Sequence, residues 1–198
     1  MRTLVLLDRD GTINVEKHYL SSPDQVELLS GAAESIQLLR SLGLTTVVVT
    51  NQSAIARGYF DLATLERIHH RLYELLAERG ACLDAIYVCP HHPAAGCHCR
   101  KPAPGLACRA AEEFGGDLSR SFVVGDQASD IAFGKCIGAT TLLVRTGYGQ
   151  RVASAGTAQP DYVVGDLLEA AHVIQRYVGN RYYRKQPFRS KSSKNHAL

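Results

Sequence analysis

The segment TLVLLDRDGT, residues 3–12, decides the fold class that the sequence predicts. Residues 3–7 form a short apolar run, and this run stops at a charged cluster that begins with Asp8. A run of this length bounded by polar residues is typical of a strand that is buried on both faces of a parallel sheet. We therefore predict a buried first strand whose carboxyl end carries two carboxylates, those of Asp8 and Asp10.

The same alternation continues along the chain and predicts strands separated by amphipathic helices. Further strands are predicted at residues 45–49, 83–88, 121–124 and 140–144, with a short edge strand at 161–164. Helical periodicity predicts helices at residues 32–42, 62–79, 104–114, 129–136 and 167–177. Because such segments form right-handed βαβ units, we expect an α/β fold with a Rossmann-like, doubly wound parallel sheet. Sheets of this kind bind ligands beyond the carboxyl ends of their strands.

Composition and charge favour one globular domain followed by a basic tail. The chain has 198 residues, of which 45% are hydrophobic and 21% charged, as in ordinary globular proteins. The formal net charge of +3 hides an asymmetry. Residues 176–198 contain seven Lys or Arg and no acidic residue, whereas the rest of the chain contains 15 basic and 19 acidic residues. We predict a domain at residues 1–179 and a mobile basic tail at residues 180–198.

No segment predicts insertion into a membrane or export. No apolar run approaches the ~18 residues that a membrane-spanning helix needs. The apolar run at residues 4–7 is too short for the hydrophobic region of a signal peptide. We therefore expect a cytoplasmic protein that has no membrane partner. We also expect the protein to be a monomer.

Polar side chains follow the first, second and fourth predicted strands, at the edge where a parallel sheet binds its ligands. Asp126 and Asp130 follow the fourth strand, so four acids gather at one edge and a cation is needed to offset their repulsion. Mg²⁺ prefers a few carboxylates combined with water and phosphate oxygens. The other candidates suit a phosphate group: the hydroxyls and amides of Thr50, Asn51, Gln52 and Ser53, and the cations of Arg100 and Lys101.

Three of the six cysteines lie close together in residues 89–99, with the spacing C-x-H-x5-C-x-C. Three thiolates and one imidazole form a closed tetrahedral Zn²⁺ site, which is structural rather than catalytic. We predict the zinc ligands Cys89, His91, Cys97 and Cys99, with His92 or His98 as the alternative imidazole. Because Cys99 directly precedes Arg100 and Lys101, zinc would fix the loop that carries both cations. The remaining cysteines, Cys82, Cys108 and Cys136, are expected to be small core residues.

Four segments, in this order, resemble the motifs of the haloacid dehalogenase superfamily of phosphatases: DRDGT at residues 8–12, Thr50, Lys101, and GDQASD at residues 125–130. The resemblance runs from the first strand to about Val144. It implies a Mg²⁺-dependent phosphatase in which Asp8 is the nucleophile and Asp10 the general acid and base. It also implies that Thr50 and Lys101 stabilise the transferring phosphoryl group, and that Asp130 orients Lys101 or the metal site rather than binding Mg²⁺ directly. Mg²⁺ would be bound by Asp8, the backbone carbonyl of Asp10, and Asp126.

Within the superfamily, the chain resembles a narrow group that contains phosphatases of the 7-phosphate of heptose 1,7-bisphosphate and of histidinol phosphate. The segments that carry this resemblance are CPH at residues 89–91, CHCRKP at 97–102, INVEKHY at 13–19 and TNQSAIARG at 50–58. The last segment favours the heptose enzymes, although Ala54 replaces their usual Gly. The short loop at residues 91–97 is also compatible with the histidinol phosphate enzymes. The heptose reaction would supply a precursor of ADP-heptose and lipopolysaccharide.

The resemblance implies a set of contacts with a small phosphorylated sugar. These candidates are Glu16, Lys17, His18, Tyr19, Asn51, Gln52, Ser53, Arg100 and Gln127. Arg100 would hold a second phosphate in a bidentate manner. Gln127 stands where a Lys is common in the group, which leaves its contact open. The spacing between Asp10, Thr50 and Lys101 leaves no room for a large cap domain.

A function of another class is a nucleic-acid-binding zinc protein, or a phosphatase that acts on nucleic-acid ends. The basic tail contains Tyr182, Tyr183 and Phe188, which could stack on bases. The acidic body of the chain argues against this function, because a nucleic-acid-binding domain presents a basic face.

Overall fold

Six parallel strands form one sheet in the computed structural model, which describes the backbone of residues 1–184 and the side chains of residues 1–179. The strands are β1 (Leu4–Leu7), β2 (Thr45–Asn51), β3 (Ala85–Cys89), β4 (Phe122–Gly125), β5 (Thr140–Val144) and β6 (Tyr162–Val164). Their order in the sheet is β3-β2-β1-β4-β5-β6, and all neighbouring pairs are parallel. This order confirms the predicted doubly wound sheet.

Among the described residues, five α-helices connect successive strands and a sixth follows β6. They are α1 (Ala32–Ser41), α2 (Leu62–Ala77), α3 (Gly105–Phe114), α4 (Ala128–Cys136), α5 (Gly149–Ala155) and α6 (Leu167–Arg184). Helix α5 was not predicted, because this short helix buries only Gly149 and so has no apolar periodicity in its sequence. Helix α6 extends as far as Arg184, the last residue whose backbone the structure describes, and so passes the predicted end at residue 177. The side chains of the predicted tail, including Tyr182, Tyr183 and Phe188, lie outside the described residues.

The sheet is covered on both faces, which explains the uninterrupted apolar run of β1. All four residues of β1 are buried. Val5 and Leu7 pack in a core with buried residues of α1, α2 and α6, whereas Leu4 and Leu6 pack in a second core with buried residues of α3 and α4. Since successive side chains of a strand point to opposite faces, every residue of β1 is buried whichever face it points to, and an uninterrupted apolar run suits this position.

The strand order reverses at β1, which places the ligand-binding edge. β1 pairs with β2 on one side and with β4 on the other. The connection that follows β1 therefore runs towards β2, whereas the connection that follows β4 runs the opposite way, towards β5. A crevice forms at such a switch point, beyond the carboxyl ends of the strands. The segments that follow β1, β2 and β4 therefore face one another. Within residues 1–184 no further domain is inserted between these strands, which confirms the expected absence of a large cap.

The prediction that the three isolated cysteines are core residues was wrong. Cys82, Cys108 and Cys136 are all exposed. The buried face of α3 is formed by Leu106, Ala107 and Ala110, so Cys108 falls on the opposite side of that helix. Cys136 is the last residue of α4, and Cys82 precedes β3 in a loop. Among the described residues, no helix is long and apolar enough to cross a membrane.

Candidate active site

A buried lysine joins two carboxylates at the edge defined by β1 and β4. Lys101 Nζ lies 2.7 Å from Asp8 Oδ1 and 2.7 Å from Asp130 Oδ1. The Lys101 side chain is only 4% exposed. Burial alone would lower its pKa, but the charges of Asp130 and Asp8 raise the pKa well above its usual range. Lys101 is therefore a permanent cation inside the site, and Asp8 is held in place by it.

Asp126 is the carboxylate whose surroundings best fit a bound divalent cation. It is completely buried, and its Oδ2 accepts a hydrogen bond from the backbone N–H of Tyr148 at 2.7 Å. Its Oδ1 has no hydrogen-bond partner among the described residues. Oxygens of Asp8, Asp126 and Asp130 all lie within 4.8 Å of one another. A buried carboxylate oxygen is rarely left unpaired, so this set of hard oxygen donors fits a divalent cation such as Mg²⁺.

The protonation of these acids supports the same conclusion. Burial, and then the charge of Asp8, raise the pKa of Asp126 to about 8. Burial raises the pKa of Asp8 to about 7, although Lys101 opposes the increase. Two acids that resist ionisation near neutral pH would both ionise if a divalent cation lay between them.

Two glycines leave the space around Asp126 clear. Gly11 follows β1 at φ +76°, and Gly147 follows β5 at φ +54°. A Cβ atom at either position would overlap Asp126 Oδ2. The two loops are joined by Thr146 Oγ1, which donates to the carbonyl of Gly11 at 2.6 Å. A larger residue at either glycine would therefore displace the Asp126 carboxylate.

Asp10 is held by a different set of donors from that around Asp8. Arg9 Nη2 donates to Asp10 Oδ2 at 2.7 Å, Asn14 Nδ2 to Oδ1 at 2.9 Å, and Gln52 Nε2 to Oδ2 at 3.0 Å. Burial raises the pKa of Asp10, but the charge of Arg9 and these hydrogen bonds outweigh burial and lower it. The ionised form of Asp10 is thus favoured in this geometry.

The end of β2 connects Asp10 to the loop that carries Lys101. Gln52 Nε2 also donates to Thr50 Oγ1 at 2.8 Å, so one amide binds the Thr50 hydroxyl and Asp10 together. Asn51 pairs with the backbone of Lys101: its Nδ2 donates to the Lys101 carbonyl at 3.2 Å, and its Oδ1 accepts from the Lys101 N–H at 3.0 Å. The end of β2 thereby fixes the positions of Asp10 and Lys101 relative to each other, although the two residues are distant in sequence.

A cavity of about 500 Å³ opens over this cluster. The residues that the sequence predicted and that line it are Asp8, Asp10, Glu16, His18, Tyr19, Thr50, Asn51, Gln52, Ser53, Arg100, Lys101 and Gln127. Lys17 does not line it, since its exposed ammonium pairs with Glu27 at 3.2 Å. Arg100 Nη1 is buried and has no partner among the residues described, so the guanidinium keeps a donor for a ligand.

Four residues that line the cavity were not among the predicted site residues: Leu20, Ala54, Ser129 and Tyr148. Tyr148 follows β5 within the segment RTGYG, residues 145–149. The rule that ligand sites lie beyond the carboxyl ends of parallel strands would have identified it. Ser129 and Ala54 lie inside the motifs at residues 125–130 and 50–58, but only neighbouring residues of those motifs were predicted to belong to the site.

The loop after β1 forms one wall of the cavity. His18 is the one non-glycine residue with positive φ (64°) in the described part of the chain. Glu16 Oε1 accepts a hydrogen bond from the His18 N–H, and this contact supports the left-handed backbone. The rings of His18 and Tyr19 meet edge to face at 4.6 Å, and Tyr19 meets Tyr59 in the same way at 4.8 Å. The wall is thus built of contacting polar and aromatic rings.

The predicted zinc ligands converge beside this cavity. The three thiol sulfurs of Cys89, Cys97 and Cys99 lie 3.3–3.6 Å apart. His91 Nδ1 lies 3.2 Å from Cys99 Sγ and 3.6 Å from Cys89 Sγ. Tetrahedral Zn²⁺ with Zn–S bonds of about 2.3 Å requires sulfurs roughly 3.8 Å apart. The donor set therefore fits zinc.

The histidine of this cluster is His91. His92 Nδ1 instead accepts a hydrogen bond from the N–H of Ala94 at 3.2 Å, and His98 lies outside the cluster. Desolvation opposes the ionisation of Cys97, but hydrogen bonds from Cys89 and Cys99 outweigh it and lower the pKa of Cys97 to about 6. Burial instead raises the pKa of Cys89 to about 12 and also raises the pKa of Cys99. A thiolate, which is the form that binds metal, is thus accessible at neutral pH at Cys97.

Comparison with known proteins identifies relatives along almost the entire chain. A family model described as HAD-hydrolase-like matches residues 98–170. A D-glycero-beta-D-manno-heptose-1,7-bisphosphate 7-phosphatase from Pseudomonas aeruginosa is 40% identical over 174 residues, which cover 87% of this chain and 98% of that protein. A D-glycero-D-manno-heptose-1,7-bisphosphate 7-phosphatase from Thermosynechococcus vestitus is 38% identical over 194 residues, or 91% of this chain and 99% of that protein.

A solved structure shares the fold closely. It is the crystal structure of the D,D-heptose 1,7-bisphosphate phosphatase from B. bronchiseptica, complexed with magnesium and phosphate. It matches with a TM-score of 0.83 and 37% sequence identity, and the match covers 88% of this chain and 99% of that chain.

The acid cluster predicts an unusual pH dependence of stability in the chelated protein. Asp126 and Asp8 have pKa values raised to about 8 and about 7, so these two groups bind more protons in the folded state than in the unfolded state between about pH 4 and pH 8. His69, whose pKa is lowered to about 3 from a usual 6.5, acts in the opposite direction below about pH 6.5. In EDTA, the free energy of unfolding should therefore fall as the pH rises from about 6.5 to 8. Thermal or urea unfolding at a series of pH values measures it.

The control for this prediction is the Asp126→Asn variant. An amide keeps the acceptor for the Tyr148 N–H and removes the buried charge, so the chelated variant should be more stable than wild type at pH 8, by about 2 kcal/mol. A wild-type profile that rises from pH 6.5 to pH 8 in EDTA, or equal stability of the two proteins at pH 8, would contradict the prediction.

Proposed function

The chain belongs to the heptose bisphosphate phosphatase family of haloacid dehalogenase-like hydrolases, and we propose that it removes the 7-phosphate of D-glycero-D-manno-heptose 1,7-bisphosphate. It is a phosphatase, a hydrolase of phosphoric monoesters. One observation carries the substrate proposal. The same cavity holds Asp8 paired with Lys101 and the unpaired Nη1 of Arg100, so a reacting phosphate and a second anion can both be bound.

In the first step, a carboxylate oxygen of Asp8 attacks the phosphorus of the 7-phosphate. A bond forms between this oxygen and phosphorus, the bond from phosphorus to the sugar oxygen breaks, and Asp10 donates a proton to the leaving oxygen. Lys101 is held 2.7 Å from Asp8 and offsets negative charge on the phosphoryl group during transfer. The buried Thr50 hydroxyl, fixed by Gln52, is a further donor to that group.

In the second step, water attacks the phosphorus of the aspartyl-phosphate. Asp10 accepts a proton from this water, inorganic phosphate leaves, and the carboxylate of Asp8 is restored. The low pKa of Asp10 suits this step, because the ionised form is the base. The first step needs the protonated form, which the charge of Arg9 disfavours.

Asp8, Asp126 and the backbone carbonyl of Asp10 would hold Mg²⁺. When bound, the ion supplies positive charge that lowers the repulsion between an anionic nucleophile and an anionic substrate. The unpaired Oδ1 of Asp126 and the mutual proximity of the acids support this assignment. Asp130 has a different role here, since it pairs with Lys101 and thereby orients the ammonium group.

Cys89, His91, Cys97 and Cys99 would hold a structural Zn²⁺. The cluster connects the end of β3 to Arg100 and Lys101 through consecutive residues. Four protein ligands complete a tetrahedral site and leave no position for substrate. The role proposed for zinc is therefore to fix the loop that delivers both cations.

A cytoplasmic location, a monomeric state and the absence of a nucleic-acid partner stay predictions. The proposed substrate is a small phosphorylated sugar. The cavity is lined by acids, amides and two cations rather than by an extended basic face, which favours a small substrate over a nucleic acid.

The substrate proposal predicts a preference between two phosphate esters. In Mg²⁺, kcat/KM for D-glycero-D-manno-heptose 1,7-bisphosphate should exceed that for histidinol phosphate by about 100-fold, since only the bisphosphate offers an anion to Arg100. Phosphate release measures both rates, and ³¹P NMR should show the 1-phosphate retained in the product. The Asp8→Asn variant should be inactive towards both esters. A large preference for histidinol phosphate would overturn the heptose assignment and leave the mechanism intact.

The role proposed for Arg100 predicts that the enzyme distinguishes a bisphosphate substrate from a monophosphate. The Arg100→Met variant should lose about 30-fold or more in kcat/KM for the 1,7-bisphosphate but less than about threefold for heptose 7-phosphate, because only the first has a second charged phosphate. Arg57→Met is the matched control, since Arg57 is exposed and does not line the cavity. Equal losses for the two substrates would contradict the role of Arg100.

The zinc proposal predicts that the metal content and the activity are linked. The purified protein should contain one zinc per chain. Chelation under forcing conditions, or Cys99→Ser, should lower the melting temperature and reduce kcat about tenfold without changing the Mg²⁺ concentration for half-maximal activity. Elemental analysis, melting curves and Mg²⁺ titrations measure these effects. Cys108→Ser, at an exposed position of α3, is the control. A zinc-free protein with full activity and an unchanged melting temperature would disprove the link.

A further inference from the structure

Arg9 is a buried cation between the two catalytic aspartates in sequence, and the mechanism above gives it no direct role. Its side chain is 1% exposed. One edge of the guanidinium faces Asp10: Nε lies 3.1 Å from both carboxylate oxygens, and Nη2 lies 2.7 Å from Oδ2. A buried guanidinium needs acceptors on its other edge as well, because an unpaired donor in the interior is costly.

His69 supplies the acceptor on that other edge. It lies in α2, and its Nε2 is 3.2 Å from Arg9 Nη1. A guanidinium can only donate, so Nε2 must be the unprotonated ring nitrogen and the proton must sit on Nδ1. Burial, and then the charge of Arg9, lower the pKa of His69 to about 3, so the ring is neutral at pH 7. The neutral imidazole thus completes the set of partners around Arg9.

We propose that His69 is a positioning residue for the reaction, because its Nε2 fixes the Arg9 guanidinium and the guanidinium in turn fixes the carboxylate of Asp10. The inference rests on the proposed function, in which Asp10 protonates the leaving oxygen. Arg9 and Asp10 share a loop, whereas His69 is anchored on the helix α2, whose buried residues Leu65, Ile68 and Leu72 flank it. The contact between His69 and Arg9 joins the loop to a packed helix. It therefore restrains the loop more strongly than the contact between Arg9 and Asp10, which lies within the loop.

This role has a chemical signature that a merely structural role lacks. A sugar alkoxide is a poor leaving group and needs the proton of Asp10, whereas p-nitrophenolate leaves without one. The ratio kcat/KM reports the steps up to cleavage of the bond between phosphorus and the leaving oxygen. A misplaced Asp10 should therefore slow the sugar phosphate in kcat/KM far more than p-nitrophenyl phosphate.

The test compares His69→Leu with the wild-type holoenzyme on two substrates, heptose 1,7-bisphosphate and p-nitrophenyl phosphate. We expect kcat/KM to fall about tenfold or more for the sugar phosphate and less than about twofold for the aryl phosphate. His69→Gln, whose side-chain oxygen can accept from Nη1, should restore the sugar phosphate activity to within about threefold of wild type. His70→Leu is the matched control, since the His70 side chain is 76% exposed and pairs with Glu74.

A double-mutant cycle shows whether His69 acts through Arg9. In an Arg9→Met background, His69→Leu should change the ratio of the two activities by less than about twofold, because the group through which it acts is absent. If His69→Leu does not fold, the pair His69→Gln and His69→Asn replaces it. The shorter Asn cannot reach Nη1 and should show the loss that Gln does not. Melting curves establish that each variant is folded.

Equal losses on the two substrates, no loss on either, or a full effect of His69→Leu in the Arg9→Met background would overturn the inference. These results are distinguishable from a failure of the proposed function. If the wild-type enzyme does not hydrolyse the heptose bisphosphate, the substrate assignment fails. The same comparison then uses the phosphate of another primary alcohol that the wild-type enzyme does hydrolyse.

Discussion

The ammonium group of Lys101, buried between Asp8 and Asp130, is the interaction on which the site depends. Acids at the ends of two neighbouring strands repel one another, and burial strengthens the repulsion. Lys101 lies 2.7 Å from both carboxylates and offsets part of this charge. Breaking such a buried pair costs about 3–5 kcal/mol, because it leaves an uncompensated charge. The unpaired oxygen of Asp126 marks the charge that Lys101 does not offset, and there a divalent cation fits.

The position of Lys101 in turn depends on two features beyond its ion pairs. Asn51, at the end of β2, holds the backbone of Lys101 by a pair of hydrogen bonds. The cysteine and histidine cluster lies immediately before Arg100 in the chain and closes the loop that leaves β3. The backbone of Lys101 is thus held in place although its side chain is long and flexible. A charge must be positioned in this way before it can stabilise a transferring phosphoryl group.

The sequence predicted most of this arrangement, and its errors have physical reasons. The end of β1 could be predicted because this strand is apolar throughout and the first charged residue, Asp8, follows it directly. Helix α5 could not be read, because it buries a glycine instead of an apolar stripe. Cys108 was placed in the core because of its apolar neighbours, although those neighbours occupy the opposite face of α3. Lys17 lies between candidates that line the cavity, but its own side chain pairs with Glu27.

The sequence by itself determined the fold class, the edge of the sheet that forms the site, the four acids, Lys101 and the four candidate zinc ligands. These follow from local patterns, since the period of a strand and the spacing of ligands are properties of short segments. Only the tertiary structure decided which acid pairs with Lys101, which carboxylate oxygen stays unpaired, and that His69 meets Arg9. Such contacts join residues up to 93 positions apart, as Lys101 and Asp8 are, and depend on how helices pack on the sheet. No local pattern records that packing, because it is the sum of many weak contacts between distant segments.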